Sequence, residues 1–492
     1  MKILLLYPEF PTTFWSFKYA LKFISKKSSH PPLGLITVAA MLPEHWEKRV
    51  VDLNVNRLSE KDIVWADMIF ISAMSIQRNS VNDIIDRCHS LGKIIVAGGP
   101  LFTEDPDSFE RIDHLVLNEA EVTLPRFLND FNEGAPQKLY ATSEFPDISK
   151  SVIPDYGLLD FKKYATMSLQ LSRGCPFNCD FCEITGLFGK KVRLKSSDQI
   201  ISELDQIYEN NWKGEVFFVD DNFIGNRRFL KLDLLPKLIV WMQDNNYPFR
   251  FITEASINLA DDDALMSLMV SAGFMTVFIG IETPDEDSLI ECSKFQNNNR
   301  DLLDSIHKIQ DRGMVVMGGF IVGFDNDTSS IFKRQIDFIQ KSGIISAMVG
   351  LLNAPPKTKL YSRLLKENRI IDAFTGNNTD LSINFIPKMD LEELKNGYLY
   401  LLRNIYSCKP YYSRVREFLK RYQKNALIPK RYTLNDIKAL IRSIFVLGIF
   451  RKGRRHFWGL FFWTLFKRPE VFSMAVTYSI YGYHFRRVFN IK

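Results

Sequence analysis

The sequence predicts an α/β protein in three parts: a doubly wound parallel sheet, a partial (β/α)6 barrel and a mainly helical C-terminal region. Three observations carry this. Short apolar runs alternate with helical patterns over residues 1–145, and a second alternating series fills 166–365. From 366 to 492 the periodicity is helical. Between the first two parts, residues 135–165 carry Pro136, Pro146 and Pro154 with little periodicity, and the linker is set at 146–165.

The first part opens with "KILLLYP" (2–8), an apolar run stopped by Pro8. "MIFISAMS" (68–75), "KIIVAGGP" (93–100) and "HLVLNEAE" (114–121) repeat the pattern, with a helical stretch at 79–91. Alternation of this kind implies a parallel sheet covered on both faces, with ligands beyond the carboxyl ends of the strands. Tyr7–Glu9, Ser72–Ser75 and Gly98–Pro100 fall there. The second series has strand-like runs at 167–172, 215–219, 249–253, 276–281, 315–323 and 346–352, which fits a parallel barrel with its site at the carboxyl face.

Composition narrows the class. A hydrophobic content of 46% and a charged content of 24% are globular values and exclude a disordered chain. The net charge of +6 is unevenly spread: Lys430–Lys492 holds 13 Lys or Arg against 2 acids, which leaves the preceding residues slightly acidic. In that tail, apolar blocks with Trp458 and Trp463 are separated by Arg and Lys, and no apolar run approaches about 20 residues. The tail reads as an interfacial segment over 440–492 that contacts a membrane surface, or as a helical cap packed on the barrel. Cations set among large apolar blocks suit a membrane better than a phosphate track, so no nucleic-acid partner is expected. The opening "MKILLLYPEF" has no signal-peptide pattern, and six sparse cysteines make no disulfide framework. A cytoplasmic location follows, peripheral on the inner membrane face if the tail binds there.

Half of the cysteines fall in "LSRGCPFNCDFC" (171–182), as Cys175, Cys179 and Cys182; Cys88, Cys292 and Cys408 are scattered. A structural zinc site wants four ligands, and a disulfide would strand one thiol. A 4Fe–4S cluster held by three thiolates fits best and leaves one iron open. A purely structural cluster or a zinc knuckle is the alternative.

The Cys-x3-Cys-x2-Cys loop, with Phe181 before its last cysteine, resembles that of the radical S-adenosylmethionine (SAM) enzymes. The resemblance implies that SAM chelates the open iron and is cleaved to a 5′-deoxyadenosyl radical. It also implies a low-potential electron donor. By the same resemblance, Asp220 and Asp221 in "FFVDDNF", with Asn222 behind them, meet the SAM amino group. Glu282 in "FIGIETP" meets the ribose, Lys294 the carboxylate, and Gly319 and Gly323 in "GGFIVGFDND" flank the adenine. "LLNAPPKTKLY" (351–361) resembles the last adenine-side motif but has Lys357 where glycine is common. Each has a plainer reading: loop carboxylates cap helices, lysines are solvated, and strand glycines serve packing.

"PPLGL" (32–36), "SAMS" (72–75), "VAGGP" (96–100) and "NEAE" (118–121) resemble the cobalamin-binding domain that precedes many of these barrels. A generic nucleotide-binding domain shares much of the pattern. The resemblance implies cobalamin contacts at Ser72, Ser75, Gly98 and Gly99. Asn54 stands where histidine-ligating relatives have their histidine, and His30, His45 and His114 lie outside that motif, so no histidine lower ligand is expected. A first domain with only Cys88 cannot hold the second cluster of a methylthiotransferase. The opening "YPEFPTTFWSFKYAL" and the ending "YGYHFRRV" resemble the subfamily that includes hopanoid methylases.

The expected activity is cobalamin-dependent C-methylation of an unactivated carbon in a lipid or other apolar molecule. The alternatives are radical cyclisation, coupling or rearrangement without methyl transfer, and a non-catalytic iron–sulfur electron-transfer or binding protein.

Overall fold

A computed structural model describes residues 1–377, 379–423, 427, 429 and 433–491. The first sheet contains β1 (Lys2–Tyr7), β2 (Glu47–Asp52), β3 (Met68–Ser72), β4 (Ile94–Gly98), β5 (His114–Val116) and β6 (Leu139–Tyr140). All its pairs are parallel, in the order β2-β1-β3-β4-β5-β6. Its central strands are apolar throughout because both faces are covered. Leu4, Leu6, Ile69 and Ile71 enter one core, while Ile3, Leu5, Met68 and Phe70 enter the other. β2 is an edge strand of sequence EKRVVD with half-exposed charges, and β6 is a two-residue edge inside the proline-containing stretch. Neither has the apolar run that marks a covered strand.

The second sheet is built from β7 (Thr166–Leu169), β10 (Glu215–Phe218), β11 (Arg250–Ala255), β12 (Phe274–Glu282), β13 (Val315–Val322) and β14 (Ala347–Leu351). Between β7 and β10, β8 (Ser172–Arg173) and β9 (Arg193–Leu194) form a short antiparallel ladder. The six long strands are parallel and follow one another in space as in sequence, giving a partial barrel whose end strands are β7 and β14. Alternate residues seal its outer face: Phe218, Phe223, Phe251 and Phe274 pack with ring centroids 4.8–5.3 Å apart under the surrounding helices. The other set, Phe217, Ile252, Phe278, Met317 and Met348, is only half-buried and lines the interior.

Both open edges are occupied, as unpaired strand edges must be. At β7, Thr166 N–H and Ala165 N–H donate to the carbonyls of Ser29 (2.9 Å) and Ser28 (3.0 Å). Trp15, upstream on the same segment, meets Phe278 edge-on at 5.4 Å. At β14, the hydroxyls of Tyr398 and Tyr406 donate to the carbonyls of Val349 (3.0 Å) and Ala347 (2.6 Å). Both tyrosines belong to the helix Leu391–Tyr406, the first of a C-terminal helical array.

Cys408–Arg421, Leu434–Ser443, Arg454–Lys467 and Phe472–Val488 complete that array, with Leu434–Ser443 continued by a π-helical turn at Ile444–Ile449. The last helix is core: Phe485 stacks on Phe14 at 4.3 Å, and a His484 ring nitrogen lies 2.9 Å from the Phe14 carbonyl oxygen. Of the basic tail, Lys430, Arg431 and Lys492 lie outside the described residues. Among the described residues no helix is long and apolar enough to cross a membrane.

Candidate active site

The cysteine loop leaves the carboxyl end of β7 and is gripped at its base by the β8–β9 ladder. Gly174, at φ +90°, makes the first turn; a Cβ there would stand 2.7 Å from the Lys191 carbonyl oxygen. Cys175 N–H donates to Gly189 O and Cys182 N–H to Cys179 O. All three loop cysteines are free thiols with partial exposure, whereas Cys88 and Cys292 are buried. Burial pushes the Cys182 thiol up to about 12.

Around these thiols the structure gathers several of the expected residues. Glu282 ends β12 with a φ of +64°, where the register against β13 shifts past Gly280. That bulge turns its carboxylate onto Lys294 Nζ at 2.7 Å, with both side chains nearly buried. Asn297 Nδ2 fixes the bulge by donating to the carbonyls of Gly280 and Ile281, each at 2.9 Å. Lys294 Nζ lies 6.0 Å from the Phe181 ring centre, and Phe181 in turn meets Phe324 at 6.4 Å. Burial alone would lower the Lys294 ammonium, but Glu282 and the thiols of Cys179 and Cys182 hold it well above its ordinary value. Gln296, which sequence reasoning passed over, donates through Nε2 to Cys179 Sγ at 3.7 Å.

The pair Asp220–Asp221 divides. Asp220 is buried and accepts from Leu171 N–H at 3.2 Å and from the backbone and hydroxyl of Ser172, so it ties β10 to the start of the cysteine loop. Asp221, pushed up to about 7 by burial and then by Asp220, acts electrostatically on Cys175, Glu183 and Glu254. Asn222 Oδ1 accepts from Ser256 N–H at 3.1 Å, while its buried Nδ2 has no partner among the described residues. Glu254 on β11 is a further acid that the sequence reading missed; burial and then Asp221 and Asp220 push it up to about 8. The signal was present: one carboxylate in an otherwise uncharged FITEA segment.

Gly319 lies on β13, and a Cβ there would stand 2.7 Å from Phe278 Cζ. Gly323, at φ +106°, begins a turn whose N–H donates to Asp327 Oδ2 at 2.8 Å. Lys357, also left-handed at φ +64°, donates to the Thr103 carbonyl of the first domain at 2.6 Å.

The first domain meets this face with the carboxyl ends of its strands. Gly98 and Gly99 lie where side chains would collide: a Cβ on Gly98 would be 2.5 Å from Val116 O, and one on Gly99 (φ +96°) 3.0 Å from Ser72 Oγ. Ser75 donates to Glu104 Oε2 at 2.6 Å, and Glu104 lies close enough to act electrostatically on Glu183, the residue after Cys182. Burial, and then the neighbouring Glu104, push the Glu183 carboxyl well above its ordinary value. The Asn118–Glu121 stretch serves the same junction. Glu119 accepts from Arg173 at 2.6 Å and from Arg193 at 2.7 Å, and Glu121 from Arg173 at 2.8 Å. Arg173 and Arg193 lie on β8 and β9, so this ion-pair network clamps the cysteine loop to the first domain. Asn54 is occupied with local backbone, donating to Pro8 O and accepting from Phe10 N–H. His30 instead lies tilted against Phe217 of the barrel, with ring centroids 5.3 Å apart.

These residues fit the groups the sequence implies. Three free thiols sit beside a charged Lys294, and the buried Glu104 Oε1, Glu183 Oε2 and Asn297 Oδ1 lack partners among the described residues. No three His, Cys, Asp or Glu side chains among the described residues converge as one mononuclear ion would need. A cubane cluster, whose thiolates bind separate irons, does not ask for that convergence.

Comparison with known proteins agrees. Residues 169–339 match the radical SAM superfamily, residues 23–128 the B12 binding domain, and residues 358–492 a domain of unknown function. An uncharacterized methyltransferase of Synechocystis is 43% identical over 99% of this chain and 91% of its own length. The hopanoid C-2 methylase of Rhodopseudomonas palustris is 36% identical over 79% of this chain and 74% of its own. The structure of the radical SAM methyltransferase TsrM from Kitasatospora setae, with cobalamin and a 4Fe–4S cluster bound, shares the fold at 14% identity. Its TM-score is 0.61, over 96% of this chain and 99% of that one. The chain belongs to the cobalamin-binding radical SAM family, whose cofactors are a 4Fe–4S cluster, SAM and cobalamin.

Proposed function

We propose that this enzyme transfers a methyl group to an unactivated carbon of a lipid or other apolar molecule. One observation carries the reading. The ligand end of the cobalamin-type domain is docked on the base of the cysteine loop through the Glu119–Arg173–Arg193 network and on the segment after β14 through Lys357–Thr103, with Glu104 set beside Glu183. Sites for a methyl donor and for a hydrogen-abstracting centre then face one shared space. When bound, the cluster with SAM supplies hydrogen-atom abstraction, and cobalamin supplies the methyl group.

The chain's own residues supply position and exclusion of water. Cys175, Cys179 and Cys182 would hold the cluster, one electron at a time coming from a low-potential donor. Lys294, held charged by Glu282, would bind the SAM carboxylate, and Asp221 the amino group; Asp220 supports Asp221 by fixing the turn. Phe181, Gly319 and Gly323 would border the nucleoside. Ser72, Ser75, Gly98 and Gly99 would border cobalamin, while Asn54, at the place where histidine-ligating relatives have their histidine, is held by Pro8 and Phe10. Phe217, Ile252, Phe278, Met317 and Met348 give the interior an apolar wall, which suits an apolar substrate and excludes solvent that would quench a radical. The relative named a hopanoid C-2 methylase supports a lipid. We place the working units at 1–145, 166–365 and 366–492, with a peripheral membrane contact somewhere in 440–492.

The test is anaerobic. Protein reconstituted with iron, sulfide and cobalamin is given SAM, a strong reductant and host lipid extract. 5′-Deoxyadenosine together with S-adenosylhomocysteine, and a lipid heavier by one methylene, is the expected result. Deoxyadenosine without adenosylhomocysteine would replace methyl transfer by another radical reaction. Iron retained in all three single Cys→Ala variants would remove the cluster assignment.

A further inference from the structure

Building on the apolar-substrate reading, we propose that the helical hairpin 434–467 is a docking surface for an anionic lipid bilayer. Its apolar stripe enters the interfacial region, and the cations of its turn hold lipid phosphates. The tail does not act as one piece. Its last helix is core, with Tyr478, Ile480 and Phe485 buried, whereas the hairpin before it turns Phe445, Phe450, Phe462 and Phe466 outward.

On the first arm, Leu434, Ile437, Ile441, Phe445 and Ile449 recur at spacings of three and four and are all exposed, Leu434 at 76%. Ala439, Ser443 and Leu447 bury the opposite side. On the second arm, Trp458, Phe462 and Phe466 form a ladder of stacked rings 5.3 and 6.3 Å apart, and Phe466 is 74% exposed. The arms are locked side by side. Trp458 Nε1 donates to the Gly448 carbonyl in the π-helical turn at 3.0 Å, and a Cβ on Gly448 would come within 2.9 Å of the Trp458 ring. The two stripes therefore make one face. A contiguous exposed apolar patch of this kind marks an interaction site.

Charge selects the occupant. The turn joining the arms carries Phe450 at 76% exposure with Arg451, Lys452, Arg454 and Arg455, which together line a hollow of about 410 Å³. None of these four cations has an ion pair among the described residues; Arg451 donates only to the Tyr483 hydroxyl, at 3.2 Å. Apolar side chains flanked by unpaired cations are what lets a helix lie in the interface of an anionic membrane. The face also connects to the barrel. Arg442 Nη1 donates to the carbonyls of Lys22 (2.5 Å) and Phe23 (3.1 Å) and to Ser25 Oγ (2.9 Å). That segment continues to Ser28 and Ser29 on the β7 edge and lies between them and Trp15 in the barrel interior. A bilayer on the hairpin would lie beside the wall of the apolar interior.

The test uses the full reconstituted chain in sedimentation with phosphatidylglycerol–phosphatidylcholine vesicles and with pure phosphatidylcholine vesicles. Binding to the anionic vesicles should exceed that to neutral ones at least tenfold. It should fall at least tenfold both in a Phe450→Glu/Phe466→Glu variant and in an Arg451→Glu/Lys452→Glu variant, with unchanged thermal melts because all four side chains are exposed. Equal binding to both vesicle types would overturn the proposal, as would binding that neither variant reduces. So would a solution dimer abolished by Phe450→Glu/Phe466→Glu, which would assign the face to a second copy. Vesicle binding is read without turnover, so failure of the methyl-transfer reading and failure of this one give different results.

Discussion

Glu119→Gln removes the one charge shared by Arg173 and Arg193. The carboxylate is only 3% exposed and accepts at 2.6 Å from Arg173 and at 2.7 Å from Arg193. After the change Arg173 keeps Glu121, but Arg193 keeps no carboxylate, only the carbonyls of Pro146 (3.0 Å) and Phe188 (2.9 Å) and the Phe145 ring at 5.0 Å, among the described residues. Breaking one side of a buried ion pair costs about 3–5 kcal/mol, because the partner is left buried and uncompensated. With Glu121 retained and the amide still able to accept, the lower end applies, about 3 kcal/mol. That is a roughly 100-fold rise in the population in which the loop base is open. Hydrogen exchange over peptides spanning 171–195 reads this opening directly, since β8 and β9 lie inside it. Exchange there should accelerate roughly 100-fold while the β3 and β4 peptides change little. Protection over 171–195 equal to wild type would refute the clamp. Acid should mimic part of the effect. Burial would raise Glu121, but Arg173 holds it below its ordinary 4.5. Its stabilisation is thus present above about 4.5 and is lost as the pH falls through the lower folded value.

Glu254→Gln should flatten the alkaline side of the stability profile. Burial raises Glu254 from 4.5 to about 8, so its contribution is complete below about 4.5 and is lost as the pH rises through about 8. The variant should melt roughly 2–4 °C above wild type at pH 9 and at the same temperature near pH 4.5, read by scanning calorimetry. A parallel offset at every pH would dismiss titration of Glu254 as the cause. Gly280→Ala places a Cβ 2.4 Å from Glu282 Oε1 and 2.9 Å from Lys294 Nζ. It should cost about 1–3 kcal/mol in stability and weaken SAM binding at least tenfold by calorimetry, because the ion pair must move. Wild-type affinity would mean that the pair is not part of the SAM site.

Much of this architecture is legible in the chain because covered parallel strands are apolar on both faces. KILLLY, MIFIS and IIVAG announce β1, β3 and β4 in that way. The edge strand EKRVVD cannot announce itself, because half its residues keep their charges in solvent. The three cysteines single themselves out by spacing, and Lys294 by the likeness of CSKFQNN to a family segment. The roles of Glu119 and Asp220 were hidden for a different reason. Glu119 pairs with arginines 54 and 74 residues away, and Asp220 with backbone 48 and 49 residues away. The first separation is set by how two sheets dock and the second by which strands pair within one sheet, and no local pattern encodes either. The tail was legible as basic and aromatic, but its division into a core helix and an exposed hairpin depends on which side each helix turns inward.

The contact between Phe14 and the last helix joins residues 470 positions apart, through the Phe14 carbonyl and His484. During synthesis at about 5–20 residues per second, the early aromatic segment waits roughly 25–95 s for its partner to emerge. Through that interval Phe14 and Phe17 have none of the cover that Phe485, His484 and Tyr481 later provide. The nascent chain therefore carries an apolar segment whose cover is complete only once residues 481–489 have emerged.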